Sequence, residues 1–226
     1  MVALDHPRIK QVIEDRGCKL EESWIPRAER SARHRIDQLV RAGAPPDEQW
    51  KGFFDSFMEG AGVPRPHRDG IQQELHSFHR RHHLWNRPLR GVPEALGALS
   101  RAGYRVAALS NSDGRAEVNL QQIGLAREFE FVLDSAEVGV EKPEAAIFHL
   151  ACQQLELRPS DCVYVGDILS VDIEGALAAG LRAILLDHYE CYRIEEIPEN
   201  VPRAVEASEI LAGFATTPAP EKEEER

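Results

Sequence analysis

The chain has 226 residues, 42% of them apolar and 29% charged, with a formal net charge of −11. That balance suits one large domain or a core with a smaller module, and so acidic a chain is a poor general binder of nucleic acid or anionic membrane, although a local basic pocket stays open. No apolar run approaches the roughly 18 residues that span a bilayer, the N-terminus MVALDHPRIKQV lacks an apolar export signal, and the four cysteines (Cys18, Cys152, Cys162, Cys191) are scattered without a CxxC, which fits a reducing cytoplasm with Cys152 and Cys162 as buried thiols.

In chain order, residues 7–85 read as wholly helical. Ile9, Val12 and Ile13 before Gly17 make a short amphipathic helix. Residues 21–41 make a longer one, dense in Arg and Glu, whose Arg27, Arg30, Arg33, His34 and Arg35 are either a solvated face or basic groups aimed at a cleft. Ala44-Pro-Pro-Asp47 is a break with Asp47 as the cap, and Trp50, Phe53, Phe54, Phe57 and Met58 form a core-facing stripe on the next helix. The fourth helix, over 68–82, ends in His76, His79, His82 and His83; the spacing could hold a metal, but a polar surface face is the plainer reading.

From about Asn86 the texture changes to alternating helix and strand. Helices are predicted over 91–101, 115–123, 143–155 and 170–179, with strands over 104–109, 129–133, 162–165 and 183–186. Such alternation implies right-handed crossovers and a parallel sheet. Residues 187–202 read as irregular, 206–211 as a last helix, and TTPAPEKEEER as a disordered tail. The domain reading is therefore 1–86 helical, 87–214 an α/β core, and 215–226 the tail.

Polar residues gather where these strands end. Asp167 follows the strand over 162–165 directly and Asp172 lies five residues on, so both face the rim where an open α/β sheet binds ligands; alone, each is also an ordinary turn or first-turn acid. Ser110 and Asn111 follow the strand over 104–109, where they could meet an anion or simply cap the next helix. Lys142-Pro143 places a cation before a helix, against the macrodipole, which suits an anionic partner or plain solvation.

Taken together, LSNSDGR, VGVEKPEAAIF and YVGDILSVDIEGALAAG resemble the second, third and fourth motifs of the haloacid dehalogenase-like (HAD) hydrolases, in the branch with a helical cap inserted after the first strand. The resemblance covers about 92–186 and, loosely, the helical first half as the cap. It implies an open parallel Rossmann-like sheet flanked by helices. It also implies that Ser110 bonds phosphoryl oxygens, that Asn111 shapes that pocket, and that Lys142 neutralises charge there. Asp167 would ligate Mg²⁺, and Asp172 would support the metal or orient Lys142. Such chemistry needs positioning and charge neutralisation.

The same resemblance exposes a gap. The family's nucleophile lies in an Asp-x-Asp motif ending a first, central strand, and this sequence contains no Asp-x-Asp. Asp5 has neither a preceding strand nor a second acid, so it is not given that role. Omitting a central strand would orphan backbone groups along two edges at a cost on the order of 10 kcal/mol, comparable to the roughly 5–15 kcal/mol of a whole domain. The expectation is an N-terminally truncated chain, the alternative a rearranged sheet in which the two flanking strands pair directly. The expected function is a Mg²⁺-dependent phosphatase of a small phosphorylated metabolite, acting through an aspartyl-phosphate and inactive as these 226 residues stand, in a cytoplasmic monomer or homodimer. A 2-haloacid dehalogenase and a non-catalytic binder of a phospho-ligand or protein are the alternatives.

Overall fold

A computed structural model describes residues 2–216, apart from the side chains of residues 211, 213, 215 and 216. Two compact units emerge: the chain up to Leu89 together with Asp187–Ile197, and Arg90–Leu186 together with the chain from Pro198 on.

The first unit is helical. It contains β1 (Val2–Leu4), α1 (His6–Asp15), α2 (Trp24–Arg41), α3 (Pro46–Gly60), α4 (Arg65–His82) and β2 (Trp85–Pro88). The aromatic stripe of α3 is core, as the spacing predicts: Phe53, Phe54, Phe57 and Met58 are buried. Asp47 is not the cap. Pro45 holds that position and Asp47 lies in the first turn, because Pro46 is suited to a helix start that needs no N–H. The antiparallel ribbon of β1 with β2 was not anticipated, since three residues are too few to show a period. Asp5 caps α1 by accepting from the Arg8 N–H and also binds the side chains of Asn86 and Arg87.

Of the basic groups on α2, Arg27, Arg30 and Arg35 are exposed, as the solvated reading expects, and Arg33 is buried. Glu29, Arg33 and Asp37 are buried on α2. The Glu29 carboxylate is ion-paired with Arg33 and accepts from His6 Nε2 at 2.6 Å. The segment 187–197 lies over this face: the Tyr189 ring is 5.4 Å from the Arg33 guanidinium, Arg30 donates to the Glu190 carbonyl, and the Tyr192 ring meets His34. Of the histidines at the end of α4, His76 and His82 are exposed, and the rings of His79 and His83 lie 4.5 Å apart. His76 and His79 lie against Trp50, with ring centres 5.2 and 4.8 Å away, and His79 Nδ1 accepts from the Leu84 N–H.

The second unit contains α5 (Val92–Arg101), β3 (Ala108–Ser110), α6 (Ala116–Gln122), β4 (Val132–Asp134), α7 (Ser135–Val138), α8 (Ala145–Gln154), β5 (Val163–Gly166), α9 (Glu174–Ala178), β6 (Arg182–Leu186), β7 (Arg203–Ala204) and α10 (Glu209–Thr216). All strand pairs here are parallel, as alternation predicts, but they form two ladders, β3–β4 and β5–β6–β7. Among the described residues β3 does not pair with β5, so the rearranged sheet is not what forms. The central β6 is buried from Ala183 to Leu186, whereas Ala108–Ser110 and Val163–Val165 are only half-buried.

Three boundaries bear on function. Lys142 does not abut a helix; it forms a turn with Pro143, closed by the Glu144 N–H donating to the Glu141 carbonyl at 2.9 Å, and Glu144 is the N-cap of α8. The helix predicted over 170–179 opens as a π-helical turn, Leu169–Ile173, before α9. Helix α10 runs through Thr216, so residues 215 and 216 do not belong to the predicted tail, and the rest of that tail lies outside the described residues.

Candidate active site

Ser110, Asn111 and Asp167 sit where strands of the second unit end, Lys142 in the turn before α8, and Asp172 in the π-helical turn after β5. Ser110 is the last residue of β3, in register with Asp134 at the end of β4. Asn111 follows, and its amide makes a two-way clasp: its Nδ2 donates to the Lys142 carbonyl and its Oδ1 accepts from the Lys142 N–H, both at 2.8 Å. Asn111 thereby locks the β3 loop to the lysine loop, shaping the rim with both ends of its amide spent on backbone.

Lys142 reaches inward from that turn. Its Nζ donates to Asp172 Oδ1 at 2.7 Å and to the Tyr164 hydroxyl at 2.9 Å, and the same hydroxyl donates to Asp172 Oδ1 at 3.2 Å. The other oxygen of Asp172 accepts the N–H groups of Asp167 and Ile168 at 3.0 and 3.1 Å. Asp172 is 3% exposed. With two donors on each oxygen, the usual capacity of a carboxylate is filled. Both oxygens of Asp172 thus meet the Lys142 ammonium, the Tyr164 hydroxyl and the N–H groups that follow β5.

Burial opposes the charge on Lys142, but the adjacent Asp172 carboxylate more than compensates and raises its pKa well above the ordinary lysine value. Burial pushes the Tyr164 phenol up as well, so it stays neutral. A lysine ammonium has three N–H donors. Two are engaged within this triad, and the third is available to an anion.

Local sequence explains the arrangement. Gly166 ends β5 because a Cβ there would run into the Asp172 carboxyl, 2.6 Å from Cγ and 2.8 Å from Oδ2. The π turn lets Asp172 fold back onto the β5 loop; its own N–H donates to the Ile168 carbonyl at 2.8 Å. Gly175 serves the lysine side: a Cβ would lie 2.9 Å from the Phe148 ring and 3.0 Å from Pro143.

Asp134, which the sequence reading passed over, is the hub beneath Ser110. Buried at 2% exposure, it accepts the N–H groups of Gly114, Ala116 and Ala136 at 3.0, 2.9 and 3.0 Å. It thus holds the loop after β3 and opens α6 and α7. The only cue in the sequence was an acid ending a predicted strand. The Asn111 clasp, the Lys142–Asp172 pair and the Asp172 bond to Asp167 N connect the residues after β3, before α8 and after β5 without a break. Among the described residues no group of three His, Cys, Asp or Glu side chains could hold a metal ion.

The family description of haloacid dehalogenase-like hydrolases matches residues 4–180. Haloacid dehalogenase-like hydrolase domain-containing protein 3 of Bos taurus is 32% identical over 149 residues, 64% of this chain and 57% of that protein. Phosphoserine phosphatase of Thermus thermophilus is 31% identical over 141 residues, 60% of this chain and 53% of that one. The chain therefore matches little more than half the length of these two relatives. The magnesium-bound crystal structure of YfnB from Bacillus subtilis superposes with a TM-score of 0.66 at 17% identity, covering 93% of each chain, which is a likeness of fold.

Proposed function

Because the chain belongs to the haloacid dehalogenase-like hydrolases, we propose that its second unit is the core of a Mg²⁺-dependent phosphatase for a small phosphorylated metabolite, with the first unit as its helical cap. The observation that carries this reading is the buried Lys142–Asp172–Tyr164 triad, fastened to the loops of Asn111 and Asp167. It fixes one positive group at a rim of strand ends, with one N–H left for a phosphoryl oxygen. The phosphatase named among the relatives acts, by its name, on phosphoserine, and that supports the substrate class.

In this reading the Ser110 hydroxyl donates to a phosphoryl oxygen and Lys142 to another. Asn111 holds the two loops at the spacing a phosphate requires. Asp172 orients Lys142. Asp167 would hold Mg²⁺ through one carboxylate, which suits an ion that keeps most of its ligands as water and substrate oxygens. Charge favours that ion: two carboxylates against one ammonium leave the rim with excess negative charge before a phosphate arrives, and a bound divalent cation offsets it.

The attacking carboxylate is to come from outside these residues. Asp-x-Asp is absent from the sequence, and Asp5 is engaged by Arg8, Asn86 and Arg87 in the helical unit. A strand seated between β3 and β5, which end separate ladders, would bring such a group to this rim. Its oxygen would attack phosphorus, the ester P–O bond would break, and water would then hydrolyse the aspartyl-phosphate.

The test is phosphate release from an aryl phosphate. A protein extended at its N-terminus by an apolar strand ending in Asp-x-Asp should turn over with Mg²⁺, while the 226 residues alone should show little turnover. Asp167→Ala and removal of metal by a chelator should each abolish the activity. An extended protein that is inactive, or one indifferent to Asp167→Ala, would count against the reading. Chloride release from a 2-haloacid without metal would replace it with dehalogenation.

A further inference from the structure

We propose that Tyr164 is a positioning residue for Lys142: its hydroxyl fixes the ammonium so that the third N–H points at the bound anion. The proposal rests on the anion-pocket reading above and adds to it a residue that opens the third of the quoted motifs but to which the sequence assigned no role.

A lysine ammonium is a compact point charge on a flexible stem. Held by a single acceptor, it can rotate about that bond and direct its remaining protons anywhere on a cone. A second acceptor fixed in space removes that freedom. Tyr164 supplies one at 2.9 Å, while Asp172 Oδ1 lies at 2.7 Å. The phenol is itself held at both ends. Its ring packs edge-on against Phe148, 5.1 Å between centres at 81°, and its hydroxyl donates to Asp172 Oδ1. Phe148 is fully buried, so the ring has little room to swing. The closed triangle of Lys142, Asp172 and Tyr164 leaves the third N–H with one direction.

A merely structural role makes a different demand. Packing against Phe148 needs only an aromatic ring, which phenylalanine supplies equally well. The hydroxyl matters only if its partners do, and its partners are the two charged groups of the site.

Inorganic phosphate titrated by calorimetry, with Mg²⁺ present, separates these roles in four proteins: the chain itself, Tyr164→Phe, Lys142→Met and the double variant. Lys142→Met should weaken phosphate at least about tenfold, as expected when a charged donor is removed. Tyr164→Phe should weaken it by roughly five- to tenfold, with an unfolding midpoint within a few degrees of the parent. In the Lys142→Met background the same change should alter affinity by less than about twofold, because residues that act through one another do not add. Unchanged phosphate affinity in Tyr164→Phe would overturn the proposal. So would an equal loss in both backgrounds, or a Tyr164→Phe protein that no longer folds. Lys142→Met with undiminished affinity would instead sink the anion pocket, and this inference with it.

Discussion

The ammonium of Lys142 and the carboxylate of Asp172 are a buried ion pair, with side chains 10% and 5% exposed. Such a pair adds little net stability over apolar residues of the same shape, but breaking it strands a charge. Asp172→Asn should therefore lower the unfolding free energy by about 3–5 kcal/mol, read from urea denaturation; a change well under 1 kcal/mol would mean that the pair is open to water. Glu29 makes the same point in the helical unit. Burial alone would raise its pKa, but the Arg33 charge and the His6 hydrogen bond overcome that and hold it below the ordinary value. A depressed carboxylate stabilises the fold above its unfolded value, about 4.3, and that contribution is lost as pH falls through the folded value. The chain should thus lose stability from about pH 5 downward. Glu29→Gln should be less stable at pH 7 and shallower on the acid limb by up to about 1.4 kcal/mol per pH unit, checked by urea melts across pH 3–7. At this scale the sequence was informative where a polar or charged residue followed a predicted strand or preceded a helix. Ser110, Asn111, Lys142, Asp167 and Asp172 stood out on that ground, and hydrogen bonds link all of them but Ser110 into one network. Asp134 and Tyr164 were not legible, because their meaning lies in partners distant in sequence, Gly114 for Asp134, 20 positions away, and Lys142 and Asp172 for Tyr164, 22 and 8 positions away.

Elements place these residues through their ends. The strands of the second unit are short, from two to five residues, and their apolar runs were visible because a strand flanked by helices need not alternate. Their limits were less visible. Leu109 and Val165 look like last strand residues, yet the ladders continue to Ser110 and Gly166, one residue further into the loops. The π turn at Leu169–Ile173 could not be read from a pattern set for ordinary helical spacing; such turns cluster at functional sites, and here it returns Asp172 to the loop that carries Asp167. Helix α9 and the Lys142–Pro143 turn meet at Gly175, where a side chain has no room. Gly175→Ala should force that turn away from α9 and cost about 1–3 kcal/mol in chemical denaturation, whereas full retention of stability would mean that the turn yields freely. The α2 face shows the converse limit. Its charge density suggested solvent, but Arg33 is 8% exposed, since a buried arginine paired with a buried glutamate has the same composition as a surface pair.

For the whole molecule, alternation of helix and strand sufficed to predict parallel pairing, and every pair in the second unit is parallel. Among the described residues β3 and β5 belong to separate ladders, and in the proposed function a further strand would sit between them. Ala108–Ser110 and Val163–Val165 are half-buried, against the full burial of Ala183–Leu186, as expected of strands at the edge of a ladder, where apolar side chains and backbone groups meet water. The excursion Asp187–Ile197, which read as irregular, has its own order: the buried Asp187 accepts the N–H groups of Cys191 and Tyr192 at 2.6 and 3.2 Å, a loop fold that carries no periodic signal. The claim on which function rests is that three loops of the second unit share one phosphate. A crystal of the protein soaked in inorganic phosphate and Mg²⁺ measures it directly. The account predicts a phosphate within hydrogen-bond reach of both Ser110 Oγ and Lys142 Nζ, with the metal on Asp167. Phosphate bound elsewhere, or touching only one of these residues, would contradict it.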